Sequence, residues 1–219
     1  QVLKLRGAAR VVQRYVERPL LIHHRKFDIR LYALTLGWEQ PGTVWLYSRM
    51  LLKLCSEPYC LSRLNERYRH LTNCSVQRER EHRPEEEVAA GSLVWTSDRF
   101  IAHLDECGHG STVWEQHVFP SLCAVAKAAL SAGQQSQDVN CSPPRRSSFE
   151  IVGLDVILDE ALRPWLLEVN ESPNLRDFGG EVLEPMLDEL VGMVSAVARG
   201  EEPTATASPA PASKGWICI

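Results

Sequence analysis

The sequence predicts an α+β domain on three observations: two early strand-like runs joined by breaker residues, two helical periodicities in the middle, and a late hairpin followed by another helix. Residues 11–16 (VVQRYV) are β-branched and aromatic, stop at Pro19, and read as a strand. Residues 26–36 (KFDIRLYALTL) read as a second, with Phe27, Ile29 and Leu31 alternating against Asp28, Arg30 and Tyr32. Residues 44–47 (VWLY) are its expected hairpin partner across a breaker-rich turn at 38–42 (WEQPG). Residues 61–68 read either as a short helix or as an irregular crossing segment.

Residues 78–87 are almost entirely charged and read as a solvated, mobile loop. Helices are expected over 96–104 and 112–130; the second keeps Val113, His117, Leu122, Val125, Ala126 and Ala129 at roughly helical spacing. Residues 131–148 (SAGQQSQDVNCSPPRRSS) are poor in hydrophobics and read as an inserted loop. A final helix is expected over 185–198, with Pro185 in its first turn. The expected organisation is one domain over 1–199, with inserted loops near 78–91 and 131–148, and a disordered tail over 200–219.

Composition narrows the function classes. A hydrophobic share of 44% and a charged share of 24% are ordinary for a globular domain. A net charge of −4 argues against a strongly basic nucleic-acid binder, and no run approaches the ~18 apolar residues of a membrane span. Neither nucleic acid nor membrane is therefore expected as a partner. The 7 cysteines are scattered without a CxxC pair, which favours reduced thiols in a cytosolic compartment over a disulfide framework or a zinc site. The chain opens on Gln1, already in structured-looking sequence, so part of a longer protein is expected. There is no nucleophile-elbow string and no Walker-type glycine loop. His23 and His24 read as an exposed loop pair, and Cys107-Gly108-His109 is too short and isolated for zinc.

The most informative segment is the acidic hairpin formed by residues 150–158 and 163–170. With the turn centred between Glu160 and Ala161, Asp155 faces Leu166 and Glu168 lies diagonally beyond. One face then carries Leu154, Val156, Leu158, Trp165, Leu167 and Val169; the other carries Gly153, Asp155, Glu168 and Asn170. Two readings are open from this pattern: a solvated polar strand face, or an oxygen-ligand site suited to Mg²⁺.

Three further strings, Gln13-Arg-Tyr-Val16, Arg25-Lys-Phe-Asp-Ile-Arg30 and His70-Leu-Thr-Asn73, stand in order with Asp155 and Leu167-Glu-Val-Asn170-Glu-Ser-Pro173. This ordered set, with Ser56-Glu-Pro-Tyr59 between, resembles the motif series of the tubulin–tyrosine ligase-like family from about Val11 to about Leu190. The resemblance implies an ATP-grasp-like fold: an antiparallel sheet with packed helices and a C-terminal acidic hairpin followed by a helix. It implies that Gln13, Arg14, Tyr15 and Val16 read adenine, that Lys26 and Asp28 contact the nucleotide, and that Thr72 and Asn73 lie near its phosphates. It further implies Asp155, Glu168 and Asn170 as Mg²⁺ ligands.

The activity implied is ATP-dependent ligation of a free amino acid (tyrosine, glutamate or glycine) to a protein carboxylate through an acyl-phosphate, with tubulin tails as acceptors. The implied location is the cytoplasm, on microtubules of the cytoskeleton or the cilium. Lys53 stands where an arginine is usual, one that holds the acceptor or acyl-phosphate, and is the expected catalytic residue; it keeps the charge but loses the bidentate fork. Met50 stands where glycine is common, and Leu93 where glutamate-adding members carry lysine, which counts against glutamylation. The family's members also have a preceding segment with further phosphate and substrate contacts. A catalytically silent, tubulin-binding relative that keeps the fold is the alternative.

Overall fold

The computed structural model describes residues 11–36, 43–79, 93–135, 148–175, 180–205 and 215–219. The strands are β1 (Leu21–Ile22), β2 (Arg25–Leu36), β3 (Val44–Tyr47), β4 (Leu51–Leu54), β5 (Val94–Thr96), β6 (Phe149–Leu158), β7 (Pro164–Asn170) and β8 (Trp216–Cys218). The helices are α1 (Cys74–Arg78), α2 (Ser97–Glu106), α3 (Phe119–Gln135), which continues a π-helical turn at Trp114–Val118, and α4 (Gly180–Ala198). Every strand pairing among the described residues is antiparallel. Thus the α+β expectation holds, and so do the expected strand over 26–36, its hairpin partner and the two middle helices. The turn at 38–42 lies outside the described residues, as do most of the charged loop and most of the loop after α3.

The long strand β2 organises the sheet. One edge pairs with β4 through Phe27–Arg30 and then with β3 through Ala33–Thr35; the other pairs with β6 from Ile29 to Leu36. Being central, β2 is buried on both faces, and its alternation sorts two environments. Phe27, Ile29, Leu31 and Ala33 enter the larger core, with Phe100 and Leu104 of α2 and Leu122 and Ala126 of α3. On the opposite face Lys26, Asp28 and Arg30 come first, then Tyr32 and Leu34, which pack in a second core beneath Val182, Met186 and Leu190 of α4. One strand face is therefore polar in its first half and apolar in its second.

Several expectations are corrected. Residues 11–16 form no strand and enter no strand pairing; a side chain, Gln13 Nε2, ties them to the Leu167 carbonyl of β7 instead (2.9 Å). Residues 61–68 resolve into two short 3₁₀ turns, Leu61–Arg63 and Arg67–Arg69. The last helix begins at Gly180, so Pro185 lies inside it, not in its first turn. Proline has no N–H for the carbonyl four residues earlier, and the Arg49 guanidinium donates to that Glu181 carbonyl in its place.

The expectation of a disordered tail over 200–219 is corrected at residues 216–218. Trp216–Cys218 pair with β3 as an added edge strand, and the buried Trp216 ring packs 5.3 Å from Tyr47 while its Nε1 donates to the Met186 carbonyl (3.2 Å). A lone tryptophan after a Pro/Ala-rich stretch carries no strand periodicity, so this docking was not legible. Trp216→Ala removes one of the largest fully buried side chains. It is expected to cost about 3–5 kcal/mol in urea unfolding; a loss below about 1 kcal/mol contradicts the docking of β8.

Candidate functional site

The polar half of β2 meets polar positions on both neighbours. Asp28 pairs across to Lys53 on β4, and Arg30 pairs across to Asp155 on β6. Directly opposed side chains share a face ~5 Å apart, so two carboxylates and two cations interleave. Arg30 Nε donates to Asp155 Oδ1 (2.6 Å) and Nη2 to Oδ2 (2.9 Å), a bidentate fork. Lys53 Nζ donates to Asp155 Oδ1 at 3.0 Å and lies 3.2 Å from Asp28 Oδ1. The Thr72 hydroxyl donates to Asp28 Oδ2.

Electrostatics separates the two carboxylates. Burial pushes the Asp28 carboxyl up, Lys53 opposes this and the Asp155 charge adds to it, leaving Asp28 at about 6. Burial acts on Asp155 too, but the Arg30 hydrogen bonds and the Lys53 and Arg30 charges outweigh it and hold Asp155 below the usual carboxylate range. Burial also works against the Arg30 charge, yet its bonds to Asp155 carry it above its ordinary value.

The hairpin register differs from the expectation. Leu158 pairs with Pro164, so the turn is centred on Ala161, and Asp159 Oδ1 accepts from the Ala161 and Arg163 backbones (2.9 and 3.0 Å). A bulge then leaves Leu167 without a partner, and Asp155 stands opposite Glu168 instead of Leu166. Gly153, Asp155, Glu168 and Asn170 do share a face. The apolar face is revised: Leu166 pairs with Val156, whereas Trp165 pairs with Ile157 and donates to Asp159 Oδ2 (2.9 Å). As an edge strand, β7 leaves Trp165 and Val169 each 44% exposed.

A cavity of about 350 Å³ is lined by Gln13, Arg14, Tyr15, Val16, Lys26, Asp28, Thr72, Asn73, Asp155 and Glu168, together with His70, Leu71, Ile157 and Leu167. A neighbouring cavity of about 220 Å³ holds Lys53, Arg30, Tyr32, Asn73 and Cys74. The candidate residues from five separate strings therefore gather at two adjoining cavities. Asn170 is not a lining residue; its Nδ2 donates to Glu168 Oε1 (3.1 Å). Arg30 was missed as a site residue, although its parity with Lys26 and Asp28 marks it; His70, which heads the 70–73 string, lines the larger cavity.

The donor set fits a hard cation. Among the described residues, Asp155 Oδ1 already accepts from Arg30 and Lys53, whereas Oδ2 accepts one bond from Arg30 and keeps a lone pair. Glu168 and the Asn170 amide oxygen are the remaining candidates. No group of three His, Cys, Asp or Glu able to hold a metal occurs among the described residues. A cation here would need phosphate oxygens or water to complete its shell, as Mg²⁺ commonly does. The cysteines at 55, 60, 74, 107, 123 and 218 are free, and no helix among the described residues is long and apolar enough to cross a membrane.

A Cβ on Gly153 would come 2.8 Å from Pro173 Cβ and 3.2 Å from Arg30 Nη1, so Gly153→Ala is expected to cost about 1–3 kcal/mol in urea unfolding. Equal stability contradicts the close crossing of the 171–173 segment. For Asp28, a raised native value means that the folded state holds its proton more tightly, so this group's ionisation lowers stability as pH rises from about 4 to about 6. The difference in Tm between Asp28→Asn and the unaltered protein is expected to move in the variant's favour over that window; a flat difference contradicts the assignment.

The profile of the tubulin-tyrosine ligase family matches residues 4–197. The chain is 38% identical over 169 residues to tubulin monoglycylase TTLL3 of Homo sapiens, covering 75% of this chain and 20% of that protein. It is 36% identical over 166 residues to tubulin monoglycylase TTLL3 of Danio rerio, with the same 75% and 20% coverage. Tubulin glycylase 3D of Tetrahymena thermophila is 27% identical over 190 residues, covering 85% of this chain and 17% of that protein. The chain spans about a fifth of the length of these curated relatives. A family match across nearly the whole chain, on a sheet that gathers the family's motif strings at adjoining cavities, places the chain in the tubulin-tyrosine ligase family.

Proposed function

We propose that the chain is the nucleotide- and metal-binding part of an ATP-dependent ligase that joins glycine to a carboxylate of a protein acceptor, with tubulin as the acceptor. The observation that carries this reading is the cavity where Lys26, Asp28, Thr72, Asn73, Asp155 and Glu168 converge beside the Gln13–Val16 segment. Glycine is favoured over tyrosine and glutamate because the similar proteins are named as glycylases. Leu93, in place of the lysine of glutamate-adding members, agrees with that choice. A tubulin acceptor implies work at the cytoskeleton.

In this reading the 13–16 segment takes the purine, Lys26 meets the phosphates, and Thr72 and Asn73 border them. The acceptor carboxylate oxygen takes the γ-phosphoryl group and ADP leaves. The glycine nitrogen then attacks the acyl carbon, phosphate departs, and the amine proton passes to solvent. Lys53, which lines the smaller cavity, holds the acceptor carboxylate by charge and returns to Asp28 and Asp155 of the larger one when it is absent. A Mg²⁺ held by Asp155, Glu168 and Asn170 would offset charge on the phosphates.

A catalytically silent, tubulin-binding relative is the second reading. It is favoured by Lys53, which lacks the arginine fork and spends its charge on Asp28 and Asp155. The test uses the full-length protein with tubulin, Mg-ATP and a mixture of glycine, glutamate and tyrosine, followed by mass spectrometry of the tubulin tails. A gain matching glycine is expected, falling by about 100-fold or more in Glu168→Gln. A gain matching tyrosine or glutamate overturns the choice of amino acid. No gain from a protein that binds Mg-ATP supports the silent reading.

A further inference from the structure

We infer that His70 is a positioning residue for Lys26, acting through Tyr15 to aim the Lys26 ammonium into the cavity; the inference rests on the nucleotide reading of that cavity. His70 Nε2 lies 3.0 Å from the Arg63 carbonyl, and Nδ1 lies 2.8 Å from the Tyr15 hydroxyl. A carbonyl can only accept, so Nε2 carries the proton in the neutral ring and Nδ1 is left as an acceptor. The Tyr15 hydroxyl therefore donates to Nδ1, and its oxygen lone pairs face Lys26. Lys26 Nζ lies 3.4 Å from that oxygen and 4.6 Å from the Tyr15 ring centroid. It donates to the His70 carbonyl at 2.9 Å.

One residue thus fixes Lys26 twice, by its carbonyl directly and by its ring through Tyr15. Of the three ammonium N–H groups, these two bonds use two, and the third is available to an anion in the cavity. The ring itself is held edge-on between Tyr15 and Tyr59, with centroids at 6.0 and 5.6 Å. Tyr59 in turn donates to the Glu17 carbonyl (2.8 Å), which ties the 11–17 segment to the same cluster. Desolvation pulls Lys26 below its ordinary value, so the groups accepting from it also help to keep it charged.

The geometry separates two amide substitutions. His70→Asn places its carbonyl oxygen near the Nδ1 position and can still accept from Tyr15. His70→Gln reaches toward the Arg63 carbonyl and leaves Tyr15 without its acceptor. Tyr15→Phe removes the oxygen that faces Lys26 while keeping the ring. The experiment measures Mg-ATP and adenosine affinities by calorimetry on the full-length protein and these three variants, with thermal melts to confirm folding.

His70→Gln and Tyr15→Phe are expected to weaken Mg-ATP by about tenfold, with adenosine held within about twofold in His70→Gln, while His70→Asn keeps most of the Mg-ATP affinity. Equal losses for adenosine and Mg-ATP in His70→Gln, or unchanged Mg-ATP binding in Tyr15→Phe and a folded His70→Gln, overturn the positioning role alone. An unaltered protein that binds neither ligand overturns the nucleotide reading, and this inference with it.

Discussion

Asp28 and Asp155 lie buried on neighbouring strands of one sheet, and Lys53 and Arg30 interleave with them. Taking a carboxylate out of water is costly, and removing one partner from such a cluster leaves an uncompensated charge. The cluster is assembled by register alone: Asp28 opposes Lys53, and Arg30 opposes Asp155. A slip of one residue on β2 would turn Lys26, Asp28 and Arg30 into the apolar core and Phe27 and Ile29 out of it. The charges and the core therefore demand the same pairing, and the site inherits the rigidity of the central strand.

The same strand face explains how site and scaffold coexist. Beyond Arg30 it becomes Tyr32 and Leu34, roofed by α4 and the inserted ring of Trp216. Arg49 joins the carbonyl freed by Pro185 in α4 and the Asp98 carboxylate of α2 (3.0 Å), linking helices on opposite faces of the sheet. The open half of the face is left to the cavities. Where α4 ends its cover, Pro173 crosses over Gly153, and the missing side chain of that glycine leaves room for both the proline and the Arg30 side chain.

Much of this was legible in the sequence, for physical reasons that differ by element. Residues 26–36 carry a period of two strong enough to place both faces of β2, and the helices over 97–106 and 119–135 follow their periodicity. The acidic face of the hairpin was legible as a set. The pairing of Asp155 with Glu168 was not, because a three-residue turn and a bulge each shift register by one and neither is marked by glycine. Short β4 and β5 lack enough residues for a period, and β8 owes its existence to one tryptophan pocket. Residues 11–16 have strand composition without a strand, since propensity supplies no neighbour to pair with.

We propose that this sheet face is a nucleotide and metal site built on buried paired charge. A crystal structure of the full-length protein with Mg²⁺ and a non-hydrolysable ATP analogue tests it most directly. The base is expected beside residues 13–16, the phosphates at Lys26 and Thr72, and the metal bonded to Asp155 and Glu168, with Asp155 still held by Arg30. A nucleotide bound elsewhere, or a metal held without Asp155, would contradict it.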